Sequence, residues 1–214
     1  PEGAARPSIQ SISPYLLYLS GAMGGAPDEK GEFTLRGLAA GRFRIKADLP
    51  DDGWYIRAIT QPASGAAKKT VDAARNGIVV KAGEKLSGVE VAIAEGAASL
   101  NGRVVPANEG ARLPSRLRVH LIPAEASAAD DILRYAEAPV RAGGSFEFKH
   151  VAPGKYLLHT RQAAEKETSD DQARPVAWDA AERAGLRREA TAAKNEVELK
   201  ACERVKDQVL RWQP

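Results

Sequence analysis

The sequence predicts an all-β fold of two tandem modules, and three features lead to this prediction. A pattern of apolar residues and glycines occurs twice, 113 positions apart, and seven positions match in kind without a gap. Apolar and polar residues alternate on both sides of a short turn in each copy, as they do in half-buried strands. The chain has 214 residues, which suffices for two domains of about 100 residues each. A fixed long-period repeat indicates that one folding unit is used twice.

Each copy of the repeat predicts two antiparallel strands joined by a connection that ends at a glycine. The first copy reads Gly31-x-Phe33-x-Leu35-x-x-Leu38-x-x-Gly41-x-Phe43-x-Ile45, and the second reads Gly144-x-Phe146-x-Phe148-x-x-Val151-x-x-Gly154-x-Tyr156-x-Leu158. Leu38 and Val151 are expected to tuck under the connection and close one end of the core. In the second copy, Pro153-Gly154 is a turn dipeptide, because proline presets φ and glycine allows a positive φ.

Alternation on either side of the repeat predicts the remaining strands and the module boundary. The predicted strands are residues 14–19, 54–56, 78–80 and 89–93 in the first module and 99–105, 116–122, 196–200 and 205–212 in the second. The modules are expected to span residues 1–96 and 97–214, with a short junction at residues 94–98. The counterpart of strand 99–105 would fall at or before residue 1. The first module is therefore expected to lack its first strand, either because the chain is a fragment or because the strand is supplied differently.

A short helix is predicted inside the second module. Residues 178–193 are rich in Ala, Glu, Arg and Leu, with Gly185 as a lone breaker, and this composition favours a helix. The helix would follow a polar connection at residues 161–172. The first module has the looser segment 62–76 at this place, where a turn of helix is expected near residues 71–75.

Composition limits the classes of partner. The 31 basic and 28 acidic residues give a net charge of +3 with mixed signs, so no nucleic-acid partner is expected. Arg42, Arg44 and Lys46 form a basic stripe, which fits a solvated strand face. No apolar run approaches the length of about 18 residues that a transmembrane helix needs. The single cysteine, Cys202, excludes an internal disulfide and is expected to lie in a turn.

The sequence predicts no catalytic, cofactor or metal residues. His120, His150 and His159 have no neighbouring ligands at zinc spacing, and His120 and His159 are expected on outward strand positions. No nucleophile elbow, phosphate loop or dinucleotide fingerprint occurs. The paired acids at 51–52 and 170–171 are interpreted as turn residues, because Asp favours turns.

Aromatic residues are the best candidates for binding a ligand. Trp54 and Tyr55 follow each other on a predicted strand and therefore point to opposite faces, directly after Asp52. Trp178 lies near the start of the predicted helix. Flat aromatic rings beside acids suit sugar stacking, and packing in the core or at a sheet edge is the alternative role.

The doubled glycine and aromatic pattern resembles the carboxypeptidase regulatory-like domain family, close to Cna B-type modules. The resemblance covers the central hairpin of each copy and, more loosely, most of residues 99–212. It implies two tandem transthyretin-like (prealbumin-like, Ig-like) Greek-key β-sandwich domains of seven strands. Such modules occur in exported and cell-surface bacterial proteins as stalks, spacers, adhesion segments or accessory domains. The resemblance implies no catalytic residues, and the first copy departs from it by lacking the opening strand.

Three functions follow as hypotheses. The first is a non-enzymatic module of an exported or cell-envelope bacterial protein, extracellular, periplasmic or in the envelope, with a protein or glycan partner at the cell surface. The second is a carbohydrate-binding accessory module that uses Trp54 and Tyr55. The third is a hydrolase that uses acids outside any recognised motif. Because the repeat marks core positions, function is expected in the unshared segments, residues 50–76 and 161–195.

Overall fold

A computed structural model of the protein describes residues 27–63, 69–108, 110–163 and 179–212, together with the backbone of residues 8–12. Within these ranges the chain forms thirteen strands and two α-helices, so the predicted all-β class is confirmed. The chain divides into two compact units, Pro1–Glu95 and Gly96–Pro214.

The described residues of the first unit form two three-stranded sheets. Its elements are β1 Ser8–Ile12, β2 Gly41–Asp48, β3 Trp54–Pro62, β4 Thr70–Asp72, α1 Ala73–Asn76, β5 Ile78–Val80 and β6 Glu90–Glu95. One sheet has the order β1-β2-β5 and the other β4-β3-β6, with antiparallel neighbours. The strand beside β2 is Ser8–Ile12, whereas the strand predicted at residues 14–19 lies outside the described residues.

The buried core of the first unit is small among the described residues. Its buried apolar side chains are Ala47, Ile59, Ala73, Ala74, Ile78 and Val80. Helix α1 is a single turn, and Asp72 caps it by accepting a hydrogen bond from the backbone N–H of Arg75 at 2.9 Å. The turn of helix expected in this region is confirmed.

The described part of the second unit forms seven strands and a longer helix. Its elements are β7 Ala98–Pro106, β8 Leu117–Pro123, β9 Ala136–Pro139, β10 Ser145–Val151, β11 Gly154–Gln162, α2 Ala180–Ala193, β12 Glu196–Leu199 and β13 Arg204–Trp212. The sheets have the orders β10-β7-β13 and β12-β11-β8-β9. One apolar core takes side chains from both sheets, including Leu100, Phe148 and Leu158.

Helix α2 confirms the predicted insertion and covers the outer face of the four-stranded sheet. Asp179 caps its start by accepting from the backbone N–H of Glu182 at 2.8 Å. Lys194 ends it in the left-handed conformation, with φ at 56°. Its buried residues join sheet residues in a second apolar cluster, which consists of Ile122, Tyr135, Leu157, Leu186 and Ala190.

The repeat does not form the predicted hairpins. In the second unit β10 pairs with β7, whereas β11 pairs with β8 and β12, so the two strands lie in different sheets. The connection through Ala152 and Pro153 therefore crosses between sheets. In the first unit residues 32–35 form no strand, and Arg36 makes only an isolated bridge. The prediction is wrong because alternation identifies the inward face of a strand and not its neighbour.

The last strand of each unit has a different partner. In the second unit β13 pairs in parallel with β7, the first strand of that unit. In the first unit β6 pairs antiparallel with β3. The expectation that the first module lacks its opening strand stays a prediction.

Candidate functional site

An open cleft of about 780 Å³ lies beside β6 in the first unit. Five consecutive residues, 89–93, form one side of it, and the loop that leads to Phe33 forms another. Ala47, which belongs to the other sheet, also lines it. The cleft is lined by Pro27, Asp28, Glu29, Gly31, Phe33, Ala47, Val89, Glu90, Val91, Ala92 and Ile93. It therefore combines a sheet edge with an apolar floor.

The loop on one side of the cleft is held by Asp28. The Asp28 Oδ1 atom accepts hydrogen bonds from the backbone N–H groups of Lys30 and Glu32, both at 2.9 Å. The backbone of Asp28 also bonds to Gly31 and Glu32, at 3.0 and 2.9 Å. Gly31 supplies the positive φ of 81° that this turn requires. The carboxylate thus organises the turn that precedes Phe33.

Among the described residues that line the cleft, every charged side chain is acidic. Asp28, Glu29 and Glu90 are exposed carboxylates, and this described part of the lining contains no Lys or Arg. The three carboxylates surround apolar residues, which keep the local dielectric lower than in bulk water. The charges of the described lining residues therefore all have the same, negative sign.

Strand β6 is an edge strand of its sheet. It pairs with β3 on one side, and no strand in the described part of the chain pairs with its other side. Glu90 and Glu95 are exposed at its ends, whereas the four residues between them are half-buried and uncharged. Edge strands present unpaired N–H and C=O groups that can pair with another chain. The central part of β6 has no charge that would block such pairing.

A polar row crosses the outer face of the four-stranded sheet in the second unit. His159 on β11 lies opposite His120 on β8, and His120 lies opposite Glu137 on β9. The carboxylate of Glu137 contacts Arg118 Nε at 3.2 Å and His120 Nδ1 at 3.5 Å. Arg118, His120 and Glu137 are only 5%, 7% and 6% exposed. Because these charged groups pair with one another, their burial costs less free energy than the burial of unpaired charges.

His159 links this row to helix α2. Its Nε2 atom lies 3.3 Å from Glu189 Oε2. Burial lowers the pKa of His159 below its ordinary value, while Glu189 opposes this shift and Arg161 adds to it. Arg187 also fixes the helix by donating hydrogen bonds to the backbone carbonyls of Pro123 and Ala124. The row and these bonds hold α2 on the sheet.

The outward strand positions expected for His120 and His159 are confirmed, although His120 is buried and His159 is half-buried. Both occupy the face turned away from the main core, as the alternation predicted, but His120 is covered. Alternation shows which face a residue occupies and not what packs on that face. His150, the third histidine, is half-buried in the crossing connection with φ at 57°. Among the described residues, no group of three or more His, Cys, Asp and Glu side chains could hold a metal ion.

A second network holds the crossing between β10 and β11. Arg134 donates to the hydroxyl of Tyr156 at 3.3 Å and to the carbonyl of Pro153 at 3.0 Å. The Tyr156 hydroxyl donates in turn to the carbonyl of Ala152 at 2.6 Å. Burial raises the pKa of Tyr156. Val151 is buried under this crossing, as predicted, whereas its counterpart Leu38 is half-buried.

The predicted binding aromatics occupy the start of β3. Trp54 and Tyr55 are both half-buried, opposite Glu95 and Ala94 of β6. Asp52 is half-buried in the preceding turn. None of the three lines the cleft. Trp178 lies outside the described residues, so the proposed grouping of Asp52, Trp54, Tyr55 and Trp178 stays a prediction.

The remaining sequence features have simple structural roles or lie outside the described ranges. Arg42 and Lys46 of the basic stripe are exposed, whereas Arg44 is half-buried, so the expectation of a fully solvated stripe is wrong at that residue. Cys202 is exposed in a turn, as expected. The paired acids at 170–171 lie outside the described residues. Neither α-helix in the described part of the chain is long and apolar enough to cross a membrane.

Comparison with known proteins gives no family. No protein-family model matches the chain, and none of the curated proteins is similar to it. Among solved structures, the Bacillus anthracis TIE protein is similar over 97% of this chain and 30% of its own length, at 13% sequence identity and a TM-score of 0.29. The resemblance of the doubled pattern to carboxypeptidase regulatory-like modules therefore stays a prediction.

Proposed function

We propose that the chain is a non-enzymatic tandem β-sandwich module that binds another protein, and that it also serves spacing or adhesion in an exported or cell-envelope bacterial protein. The observation that supports this most is the open apolar cleft beside edge strand β6. An unpaired strand edge next to an apolar groove is a common way for one protein to bind a segment of another.

The difference in buried core and open surface between the two units supports the same proposal. The second unit buries a continuous apolar core between two sheets, and paired charges and α2 cover its outer face. This unit is suited to a structural role. Among the described residues, the first unit has the smaller buried core and the open cleft, and it is suited to contact with a partner.

The finer fold and the location are parts of the proposal. Each unit is proposed to be a transthyretin-like Greek-key sandwich, and the protein is proposed to be extracellular, periplasmic or in the cell envelope. The doubled pattern from Gly31 to Ile45 and from Gly144 to Leu158 supports both statements through its resemblance to exported bacterial modules. Fold alone does not define function, so the binding surface remains the main support.

A site-specific photo-crosslinker tests the proposal. Benzoylphenylalanine in place of Val91, inside the cleft, is expected to give one discrete protein adduct in cells that produce the protein, identified by mass spectrometry. The same group in place of Val209, which is 56% exposed on the second unit, serves as control. Equal labelling from both positions would contradict the proposal. So would hydrolysis of peptide, ester or glycoside substrates that one substitution abolishes.

Carbohydrate binding is the second candidate function. Trp54 and Tyr55 stay half-exposed next to Asp52 at one end of β3, where a sugar could stack on a ring. A glycan array would show hits for the native chain and a loss of signal for Trp54→Ala. An array without hits, or binding that survives Trp54→Ala, would remove this candidate.

A further inference from the structure

We propose that the cleft of the first unit binds an extended peptide whose side chains alternate between apolar and basic, and that this peptide adds to β6 as a further strand. The inference rests on the proposed interaction function and names the chemistry of the partner. It follows from three properties of the same surface as the described residues form it: an edge of β6 that pairs with no described strand, the apolar floor and the acidic rim.

The backbone of β6 supplies the first argument. In a strand, the N–H and C=O groups of alternate residues point to opposite edges. One edge of β6 is used by β3, and no other described strand uses the second edge. Residues 89–93 line the cleft without interruption. An incoming strand would run along about 16 Å of this edge, given a rise of about 3.3 Å per residue.

The floor of the cleft determines which side chains fit. Phe33, Val91 and Ile93 are half-buried and line it together with the buried Ala47. The side chains of an added strand alternate between the two faces of the sheet. Every second side chain would therefore point into the cleft, and burial stabilises the complex only if these side chains are apolar. An alternating segment fits this surface, whereas a uniformly polar segment does not.

The acidic rim determines the charge of the remaining side chains. Asp28, Glu29 and Glu90 lie around the same apolar floor. Because side chains alternate along β6, Glu90 lies on the face opposite Val91 and Ile93, which is the face that Lys or Arg at the outward positions of the added strand would share. Opposite charges across such a surface speed association and select against acidic segments. The rim therefore favours a basic partner.

A second copy of this chain fits the edge of β6 less well than a basic peptide does. Antiparallel pairing of β6 with itself would place Glu90 opposite Glu95 at both ends, and parallel pairing would place each Glu opposite its own copy. Like charges directly opposite each other destabilise paired strands. Pairing through another copy of β6 would also bring no basic residue to the rim. The charge pattern thus argues for a different, basic chain.

The test uses a fluorescein-labelled peptide of nine residues that alternates Lys and Val, with blocked ends, and measures anisotropy with the full chain. We expect saturable binding with one peptide per protein and slower hydrogen exchange of the β6 amides. The double variant Glu29→Gln with Glu90→Gln is expected to bind roughly tenfold more weakly, as two weakened surface ion pairs imply. The control variant Glu196→Gln with Glu198→Gln removes the same charge from exposed sites on β12 and should bind normally.

Two N-methylated peptides separate strand addition from charge attraction. One carries N-methyl groups on the odd residues and the other on the even residues, so that each blocks one edge of the peptide strand. Strand addition requires that one of these peptides loses binding and the other keeps it. Equal binding by both, or by a peptide with Glu in place of Lys, would overturn the proposal. So would a dimer of the chain alone that protects the β6 amides.

The result can be separated from the broader proposal. If the peptide fails to bind but the crosslinker at Val91 still gives a discrete adduct, the interaction function stands and strand addition is wrong. If both experiments fail, the interaction function is wrong as well. Thermal unfolding of each variant shows whether a loss of binding reflects a loss of folding.

Discussion

The two copies of the repeat have the same residue pattern but different burial. In the second unit the repeated positions are almost completely buried: Phe146, Phe148, Val151, Tyr156 and Leu158. In the first unit the matching positions are half-buried: Phe33, Leu35, Leu38, Phe43 and Ile45. The pattern thus specifies which side chains face inward. The strands that surround it determine how completely these side chains are covered.

The repeated glycines differ in the same way. Gly31 and Gly144 both have a positive φ, at 81° and 85°. A Cβ atom on Gly31 would meet no atom within 4 Å, whereas one on Gly144 would collide with the backbone oxygen of Val104. The glycine of the first copy is required only by its conformation. The glycine of the second copy is required by conformation and by close packing.

The largest expected difference concerns the inward apolar residue at one matching position of the two copies. Phe148→Ala should lower the free energy of unfolding of the second unit by about 3–5 kcal/mol, because a fully buried ring is removed. Leu35→Ala should lower that of the first unit by only about 1 kcal/mol, since Leu35 is half-exposed. Native-state hydrogen exchange measures the units separately, through amides in β11 and β2. Equal losses would show that the two copies are buried to the same degree.

The glycine pair gives the next largest difference. Gly144→Ala should destabilise the second unit by about 3 kcal/mol, through a strained φ and a backbone collision that has no flexible partner. Gly31→Ala should lower the free energy of unfolding of the first unit by only about 1 kcal/mol, because the strained φ is its only cost. Native-state hydrogen exchange of the β11 and β2 amides compares the two variants. A loss at Gly31 as large as that at Gly144 would mean that conformation, and not packing, dominates both positions.

Tyr156→Phe converts the second copy to the residue that the first copy has at Phe43. The variant removes the hydroxyl that donates to Ala152 and accepts from Arg134. A buried polar group that loses its hydrogen-bond partner costs about 1–3 kcal/mol. We expect the free energy of unfolding of the second unit to fall by about 1 kcal/mol, because the ring remains in place. The reverse variant, Phe43→Tyr, should change the free energy of unfolding of the first unit by a smaller amount. Urea unfolding that leaves Tyr156→Phe unchanged would show that the hydroxyl network does not stabilise the crossing.

Local signals in the sequence predicted most of the elements but not their arrangement. Alternation located β7, β11 and β13, and composition located α2. The neighbours of β11 could not be predicted, because the partner strand β8 is about thirty residues away and alternation contains no information about pairing. The burial of His120 depends on contacts from distant parts of the chain. Such tertiary contacts leave no local signature.

The cleft could not be predicted for a related reason. Its two sides, residues 27–33 and 89–93, are far apart in the sequence, and each consists of ordinary loop or strand residues. It lies outside segments 50–76 and 161–195, in which function was expected. That expectation treats every repeated position as core. In the first unit, however, Phe33 belongs to the repeat and also lines the open cleft.

The smallest expected effect is a pH dependence that only the second unit should show. Burial lowers the pKa of His159, so the folded state holds the proton less tightly than the unfolded state. The free energy of unfolding should therefore fall as the pH drops through the ordinary histidine value of about 6.5. His159→Gln should flatten this dependence between pH 7.5 and 5.5. Glu189→Gln should steepen it, because the carboxylate that raises the pKa is lost. Exchange of the β11 amides at the two pH values measures the difference, and the β2 amides of the first unit serve as the internal control. If both variants changed the dependence in the same direction, the contact between His159 and Glu189 would not couple protonation to the docking of α2.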